Sequence, residues 1–248
     1  MRSIVVWSIL IALLFSACNR PDAPDCLKSA GDQSQETRTI QGFIQHLHVD
    51  DLVHVKVFHS DGDDRVVVRG PENLLPSLIT DFEGGRLAVR NENTCNWVRK
   101  FSHRLEVDVY VSSLQRISYA GQGDVLVVDS IEASRFVFEN RLGSGDVLLR
   151  VDVDTLEVLV HTGYSPTRVV GRASLAYLFN QGIGRFDAHE LLTPVVSCNN
   201  SSINTMEVFA STYLFAYIGM QGNVWAHGSP STVELVREGS GELIMIPE

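Results

Sequence analysis

The chain has 248 residues, of which 44% are hydrophobic and 20% charged, an ordinary globular balance that excludes wholesale disorder. Thirty Asp and Glu against twenty Lys and Arg give a net charge of -10. This charge argues against nucleic acid as a partner, because phosphates require Lys and Arg to displace their counterions. It argues equally against electrostatic docking on anionic lipid.

The first residues have the pattern of a secretory signal peptide. Arg2 precedes an apolar run over residues 4–15, and Ser16 and Ala17 then precede Cys18. The run is too short for a permanent membrane-spanning helix, which needs about 20 apolar residues. A cysteine after small residues resembles a bacterial lipobox, which implies lipid attachment to Cys18. An ordinary signal peptide with an incidental cysteine is the alternative. We expect an exported outer-membrane lipoprotein that meets the membrane through this lipid and faces the periplasm or the cell surface.

Residues 18–39 form a polar segment rich in Pro, Asp and Ser, and we expect a flexible tether there. If Cys18 carries lipid, Cys26, Cys95 and Cys198 remain, so at most one disulfide forms within the chain. Whether Cys95 and Cys198 pair stays open. No C-x-x-C spacing occurs, so the cysteines do not indicate a zinc site.

The chain then changes to short alternating segments. Residues 54–58 and 104–111 alternate apolar and polar side chains, as half-buried strands do. Leucine and isoleucine at helical spacing predict one short helix over residues 71–82, closed by Gly84 and Gly85.

A turn motif, usually centred on glycine, recurs about every 20 residues in the second half of the chain. Its copies begin at Gly121, Gly143, Gly163, Gly182, Asn199, Met220 and Gly239. Four residues after each start, six of the seven copies have an apolar residue; the column is Val125, Val147, Thr167, Phe186, Ile203, Val224 and Leu243. Glycines spaced by chance would not bring aligned core positions with them.

Each copy has room for two strands and two turns and cannot bury its apolar face alone, so the copies must stack. We predict an all-β fold: a parallel β-helix or β-solenoid with about seven coils of roughly 20 residues, preceded by a β-rich N-terminal segment with one short helix. A β-sandwich of hairpins is the alternative, but it does not explain why one motif returns at one interval.

The sequence also resembles a known family. The lead-in Leu-Gln-Arg-Ile at 114–117, the successive Gly-x-Gly-Asp turns and Val-Trp-Ala-His-Gly-Ser-Pro at 224–230 resemble the putative auto-transporter adhesin head GIN domain family, typical of exported Bacteroidetes proteins. Pro166 and Arg185 depart from the pattern. The resemblance implies a surface or envelope module and supplies no established ligand. The predicted segments are a signal peptide at 1–17, a tether at 18–39 and a head GIN-like domain at 40–248.

Acids at the turns are the first candidate site. Asp124 and Asp146 occupy the same position in adjacent copies, where stacked carboxylates could bind calcium. Pro166 and Arg185 interrupt the column, so it does not supply the several oxygen ligands that calcium needs. We expect each Asp to cap its own turn instead.

His46 and His48 point to the same side of a strand and could begin a metal site. A third ligand from His54 or His59 would be a guess, and solvent-facing side chains explain the pair more simply. No nucleophile elbow, P-loop or dinucleotide fingerprint occurs. We therefore expect a protein that is not an enzyme and has no metal and no cofactor.

The third candidate is aromatic. The repeat register directs alternate residues of the segment 213–218 outward, together with one aromatic residue of the next strand. Exposed aromatic side chains on a rigid sheet can stack on sugars or anchor a protein partner. The alternative is that the N-terminal segment or a second subunit covers them. The predicted binding face comprises Tyr213, Phe215, Tyr217 and Trp225.

Together these features predict a lipid-anchored cell-envelope binding or structural module, adhesin-like, that recognises a glycan or a protein through an exposed sheet face. A polysaccharide-active enzyme on a β-helix scaffold is one alternative, and it would place Asp, Glu, Arg or Lys on one sheet in adjacent coils. A periplasmic scaffold protein is another. The solenoid ends expose strand edges, so a homo-oligomer remains open as well.

Overall fold

A computed structural model describes residues 29–94 and 104–246. The predicted signal peptide, Cys18, Cys26 and Cys95 lie outside these residues. The described part is nearly all β, with 61% strand and no helices apart from one 3-10 turn at Leu75–Ser77. The strands are β1 Gln33–Thr39, β2 His46–Val49, β3 His54–His59, β4 Arg65–Pro71, β5 Leu78–Glu83, β6 Arg86–Asn91, β7 Glu106–Val111, β8 Arg116–Tyr119, β9 Val125–Val127, β10 Ile131–Arg141, β11 Val147–Thr162, β12 Thr167–Asn180, β13 Phe186–Leu192, β14 Val195–Asn200, β15 Met206–Phe209, β16 Tyr213–Ile218, β17 Val224–His227, β18 Thr232–Arg237 and β19 Leu243–Ile246.

Most of these strands pair in parallel with strands of the neighbouring coils, so the predicted β-solenoid, of about seven turns, is confirmed. The first sheet runs through β6, β2, β8, the second halves of β10, β11 and β12, and then β14, β16 and β18. The second sheet runs through β7, β3, β9, the starts of β11 and β12, and then β13, β15, β17 and β19. A short third sheet forms where the middle parts of β10, β11 and β12 pair with one another and with the end of β13.

The core is a set of columns, with one inward residue from each coil. In the second sheet one column aligns Val147, Thr167, Phe186, Met206 and Val224, and each of them is at most 2% exposed. Alternation places every second side chain inward because the strand repeat is two residues. Burying one such large apolar side chain contributes about 1.5–3 kcal/mol.

One member of the predicted column is wrong. Ile203 is 54% exposed in a turn, and Met206 takes the inward position instead. The predicted copy begins at Asn199, but Asn200 is aligned with Asn180, so the position equivalent to Gly182 is Ser202, three residues later. The Asn200 amide lies inside this turn. Its Nδ2 donates to the carbonyl oxygens of Asn204 and Asn223, both at 2.9 Å.

The order of coils along the axis departs from chain order at the N-terminal end. The coil of β2 and β3 lies between the coil of β6 and β7 and that of β8 and β9, so Val55 is aligned with Val107 on one side and Val125 on the other. Beyond them, β4 pairs antiparallel with both β7 and β1, and β5 pairs antiparallel with β6. These antiparallel strands close this end of the solenoid.

The helix predicted over residues 71–82 is wrong. The chain makes only the 3-10 turn and then continues as β5, with Leu78 already extended at φ -86° and ψ 99°. Pro76 accounts for part of this, because proline has no backbone N–H to donate and its ring clashes with the carbonyl four residues earlier, which prevents a continuous α-helix. Gly84 and Gly85, both at positive φ, form a two-residue hairpin turn between β5 and β6.

The predicted tether is also shorter than expected, because residues 33–39 form strand β1. All seven residues pair with β4, although their side chains are mostly polar and exposed. Backbone hydrogen bonds do not require apolar side chains, so composition alone missed this strand. Arg38 anchors it: its Nη1 donates to Thr80 Oγ1 at 2.9 Å and its Nη2 donates to the Leu75 carbonyl oxygen at 3.0 Å.

The C-terminal end has no further coil stacked on it among the described residues. Val233, Leu235 and Met245 continue inward columns, yet they are 42%, 46% and 41% exposed. Over the same described residues, no helix has the length and apolarity needed to cross a membrane.

Candidate functional site

The outward direction of the predicted aromatic residues on β16 is confirmed. Tyr213, Phe215 and Tyr217 alternate with Leu214, Ala216 and Ile218, which are fully buried. The three rings therefore lie in a row, half-buried, on the outer side of the first sheet. Their role in binding stays a prediction.

Trp225 does not belong to this row. It lies on β17 in the second sheet, beyond the turn that follows β16, where it is aligned with Glu207 and Ile244. Its side chain points outward, as predicted, and 37% of the residue's surface is exposed. The sequence placed it outward, but the prediction grouped it with the β16 residues although the turn beginning at Met220 separates the two strands.

Two further aromatic residues share the outer side of the first sheet. Tyr177, 44% exposed, and Phe179 lie on β12, two strands away from β16. Both residues could have been predicted from the sequence, by applying the same two-residue alternation to the strands of earlier coils. Tyr177, Phe179, Tyr213, Phe215 and Tyr217 are called the aromatic face below.

The strand between the two aromatic rows carries small polar side chains. Ser197 on β14 is aligned with Tyr177 on one side and Phe215 on the other, and Asn199 is aligned in the same way with Phe179 and Tyr217. Two strand spacings separate the rows by about 10 Å. The aromatic face is thus a shallow trough with ring-bearing walls and a polar floor.

Hydrogen bonds fix parts of this trough. Tyr217 Oη donates to Glu238 Oε2 at 2.7 Å, and this bond is the main cause that raises the pKa of Tyr217. Partial burial, followed by Glu234, raises the pKa of Tyr213. Both phenols stay protonated at neutral pH, and each donates its single hydrogen to a glutamate, which fixes the ring and leaves the phenol oxygen as an acceptor. Asn199 Oδ1 accepts a hydrogen bond from Ser201 Oγ at 2.7 Å, which orients the amide.

The turn acids do not cap their own turns, contrary to expectation. Asp124 Oδ1 accepts a hydrogen bond from the backbone N–H of Asp146 in the next coil at 3.2 Å, while its Oδ2 lies 3.0 Å from His54 Nδ1 and 3.1 Å from Arg104 Nη2. Asn223 Oδ1 accepts a hydrogen bond from the Glu242 N–H in the same way, at 2.8 Å. Asp124 and Asn223 therefore connect adjacent coils.

The two histidines of β2 turn to separate partners. His46 Nε2 lies 2.8 Å from Ser118 Oγ, and His48 Nε2 lies 2.8 Å from Asp50 Oδ2. Burial, followed by the nearby charges of Arg86 and Arg116, lowers the pKa of His46. His54 pairs with an acid elsewhere, so the structure does not assemble the metal site weighed from the sequence.

Sequence reasoning missed a different group of metal-ligating residues. Asp187, His189 and Glu207 bring one ligand atom each to within 4.8 Å of one another on the outer side of the second sheet. No sequence spacing indicates this group, because its members come from two coils.

A groove of about 450 Å³ lies beside this group. Its charged lining residues are Arg150, Arg168, Arg185, Asp146, Asp187 and Glu190, so it shares Asp187 with this group. Arg168 is already paired with Glu190 at 2.8 Å. The groove is the feature that the polysaccharide-active alternative requires, namely acids and bases in adjacent coils.

The stacked coils and the aromatic face define the chain as a rigid β-solenoid module with an extended outer surface. It belongs to the family described as "Putative auto-transporter adhesin, head GIN domain", whose model matches residues 44–230, more than half of the chain. The family resemblance predicted from the turns is thereby confirmed.

Solved structures share this fold at low sequence identity. A putative adhesin from Bacteroides fragilis NCTC 9343 aligns with a TM-score of 0.77 at 18% identity, covering 87% of this chain and 97% of that one. A putative lipid binding protein from Parabacteroides distasonis ATCC 8503 gives 0.67 at 16%, with coverage of 87% and 97%. A putative adhesin from Parabacteroides merdae ATCC 43184 gives 0.61 at 16%, with coverage of 88% and 98%. No curated protein matches the chain. At such identities these structures establish the fold alone.

Proposed function

We propose that the protein is a lipid-anchored, adhesin-like module of the cell envelope that binds a glycan through the aromatic face. The observation that carries this proposal is the alignment of aromatic rows on β12 and β16 across the polar floor of β14. Family membership supports an adhesin-like role without specifying a ligand.

The chemistry of the trough suits a sugar chain better than a compact apolar ligand. Pyranose rings present C–H-rich faces that pack against aromatic rings, while their hydroxyls need hydrogen-bonding partners. Tyr177 and Phe215 supply ring surface, and Ser197 between them supplies a hydroxyl. Each ring contact contributes only about 0.5–1.5 kcal/mol, so binding by one trough is weak. Many copies anchored on one cell would raise the avidity.

The solenoid gives this surface the stiffness that such weak contacts require. Every strand beneath the aromatic face is paired on both sides, and the inward residues Ala176, Val196 and Leu214 are fully buried. The aromatic side chains are therefore positioned before a ligand arrives, and little ordering entropy opposes binding.

The binding test compares single substitutions on a panel of neutral and acidic glycans. We expect Tyr177→Ala and Phe215→Ala each to weaken binding about threefold to tenfold, as the loss of one ring contact implies. Tyr164→Ala is the matched control, because this tyrosine is 62% exposed in a turn away from the face. If both face variants bind as wild type does, the aromatic face is not the site. If glycans fail but a surface protein is captured through the same residues, the ligand class is wrong.

Anchoring is tested separately. Cys18 would carry the lipid, and residues 18–28 would connect it to β1. We expect wild-type protein to enter the detergent phase and Cys18→Ala to remain in the aqueous phase, because a lipid chain gains about 0.8 kcal/mol for each buried CH₂. Protease treatment of intact cells then distinguishes a surface-facing domain from a periplasmic one. Equal partitioning of both variants would contradict lipidation.

The charged groove gives a second candidate function, a polysaccharide-active enzyme. It is favoured only by the groove itself, where Asp146 and Glu190 lie among three arginines. Incubation with acidic glycans and measurement of new reducing ends decides between the two functions. Product that forms in wild type and disappears in Glu190→Gln would establish the enzyme.

A further inference from the structure

The outer side of the second sheet carries two imidazoles and two carboxylates in close contact. Asp187 and His189 come from β13, Glu207 from β15 and His227 from β17. The exposed fractions of their side chains are only 14%, 33%, 11% and 24%, respectively. Glu207 lies at the centre, because β15 is the strand between the other two.

His189 lies on the same side of β13 as Asp187, because the two residues are separated by the two-residue strand repeat. A β-bulge adjoins it: the pairing of β12 with β13 slips by one residue, so that Arg168 aligns with Asp187 but Val170 aligns with Glu190. Bulges of this kind are frequent beside binding sites. The His189 ring lies 5.3 Å from the His227 ring, although β15 separates their strands.

The ligand atoms converge at distances close to those of a metal site. Asp187 Oδ1 lies 2.5 Å from His189 Nδ1, and Glu207 Oε2 lies 4.0 Å from that nitrogen and 3.4 Å from His227 Nε2. Donors about 2.0–2.2 Å from a tetrahedral Zn²⁺ are about 3.4 Å apart. Ligand atoms of Asp187, His189 and Glu207 all lie within 4.8 Å of one another, and His227 reaches this group through Glu207, so its ring must move inward to complete a four-ligand site.

His227 Nε2 is the atom that lacks a partner. It is buried and makes no hydrogen bond with the described residues, because its 3.4 Å approach to Glu207 Oε2 does not have hydrogen-bond geometry. A buried nitrogen without a partner is costly, and a metal ion would satisfy it.

Charged side chains surround the candidate ligands. Glu190 Oε1 lies 3.6 Å from His189 Nε2, on the far side of the ring, where a carboxylate could orient the histidine after a small movement. Arg185 Nη2 donates to Glu207 Oε1 at 2.6 Å and leaves Oε2 to face the imidazoles. The three carboxylates of Asp187, Glu190 and Glu207 and the guanidiniums of Arg168 and Arg185 together carry one negative charge when the histidines are neutral.

We propose that Asp187, His189, Glu207 and His227 bind a divalent transition-metal ion of the Zn²⁺ type. Two imidazole nitrogens and two carboxylate oxygens are a donor set that suits Zn²⁺, Ni²⁺ or Cu²⁺, whereas Ca²⁺ and Mg²⁺ prefer oxygen donors alone. The site ties three consecutive strands of the second sheet together, and it is independent of the aromatic face.

The test is calorimetric titration of Zn²⁺ into the mature chain, without a histidine tag and after treatment with a chelator. We expect one ion per chain in the micromolar range or tighter. His189→Gln and His227→Gln keep nearly the same size, and each should weaken binding by at least about tenfold. Circular dichroism confirms that both variants are folded.

His46→Gln is the matched control, because His46 belongs to the other imidazole pair and bonds Ser118. It should bind Zn²⁺ as wild type does. Substituted Co²⁺ should give a visible spectrum without thiolate charge-transfer bands, which separates this site from the cysteines. The proposal is overturned if wild type binds no Zn²⁺ in the micromolar range, if both histidine variants of the site bind it undiminished, or if thiolate bands appear.

Discussion

Cys198 is a residue whose ionisation is coupled to folding. It is a free thiol on β14, and it points into the core between Leu178 and Ala216 of the neighbouring coils. Burial raises the pKa of this thiol from 9.0 to about 12. The folded protein therefore keeps the thiol neutral at pH values where the unfolded chain ionises it.

This difference predicts a specific pH dependence of stability. Below pH 9 the thiol is neutral in both states and adds no pH dependence. Between pH 9 and about 12 only the unfolded chain loses the proton, so the free energy of unfolding should fall by up to about 1.4 kcal/mol per pH unit. Urea denaturation at several pH values should show a shallower slope for Cys198→Ala. Identical slopes would mean that the thiol is accessible to water in the folded state.

At the scale of the element, a column of inward residues predicts how much stability the same substitution removes at different positions along the solenoid axis. Leu178, Cys198, Ala216 and Leu235 occupy one column of the first sheet, but Leu178 is 2% exposed and Leu235 is 46% exposed. The last coil has no described neighbour beyond it, so its leucine buries less surface.

We expect Leu178→Ala to lower the free energy of unfolding by about 2–5 kcal/mol, because it leaves a cavity in a closed core. Leu235→Ala should cost less than half as much, since water already reaches this side chain. Denaturant unfolding of both variants measures the difference. Equal losses would show that the end of the solenoid is covered in solution, for example by a second copy.

The columns also explain which parts of the fold were predictable. Alternation and turn spacing are local, so the strands around Val125, Val147 and Phe186 followed from the sequence. Ile203 failed because this copy has no glycine to mark its turn, and the prediction starts the copy three residues before the position that is aligned with the preceding coil. The segment 71–82 failed because helical spacing of leucines does not distinguish a helix from a 3-10 turn and a strand.

The candidate sites were also predictable from the sequence only in part. The outward row Tyr213, Phe215 and Tyr217 followed from alternation, and the turn beginning at Met220 already separated Trp225 from it, although the prediction grouped all four residues in one face. The approach of His189 to His227 depends on side chains that lean across β15. The spacing of residues does not show such leaning, so this contact required the three-dimensional structure.

At the scale of the whole molecule, the two ends should tolerate truncation differently. A chain ending at Gly228 loses β18 and β19, whose residues are exposed or half-exposed and which pair only with β16 and β17. We expect it to stay folded and to unfold cooperatively, because each coil depends mainly on its neighbours.

A chain beginning at residue 113 should not fold stably. It lacks the antiparallel cap and the coils that contain β2, β3, β6 and β7, and it exposes the fully buried Ile117 and Val125 on a strand edge. Circular dichroism and thermal melting of the two truncated chains compare the ends directly. Cooperative unfolding of the chain that begins at residue 113 would show that the cap is dispensable.

The interleaved coil of β2 and β3 has a consequence for the time at which the protein can fold. Residues 46–59 leave the ribosome before both coils that flank them in the finished solenoid, since those coils extend to Val111 and Val127. Their backbone groups therefore have no native partners while the next part of the chain is being made. Folding cannot advance coil by coil from the first residue, and a chain passing unfolded through a narrow pore would be kept from folding early by its own topology.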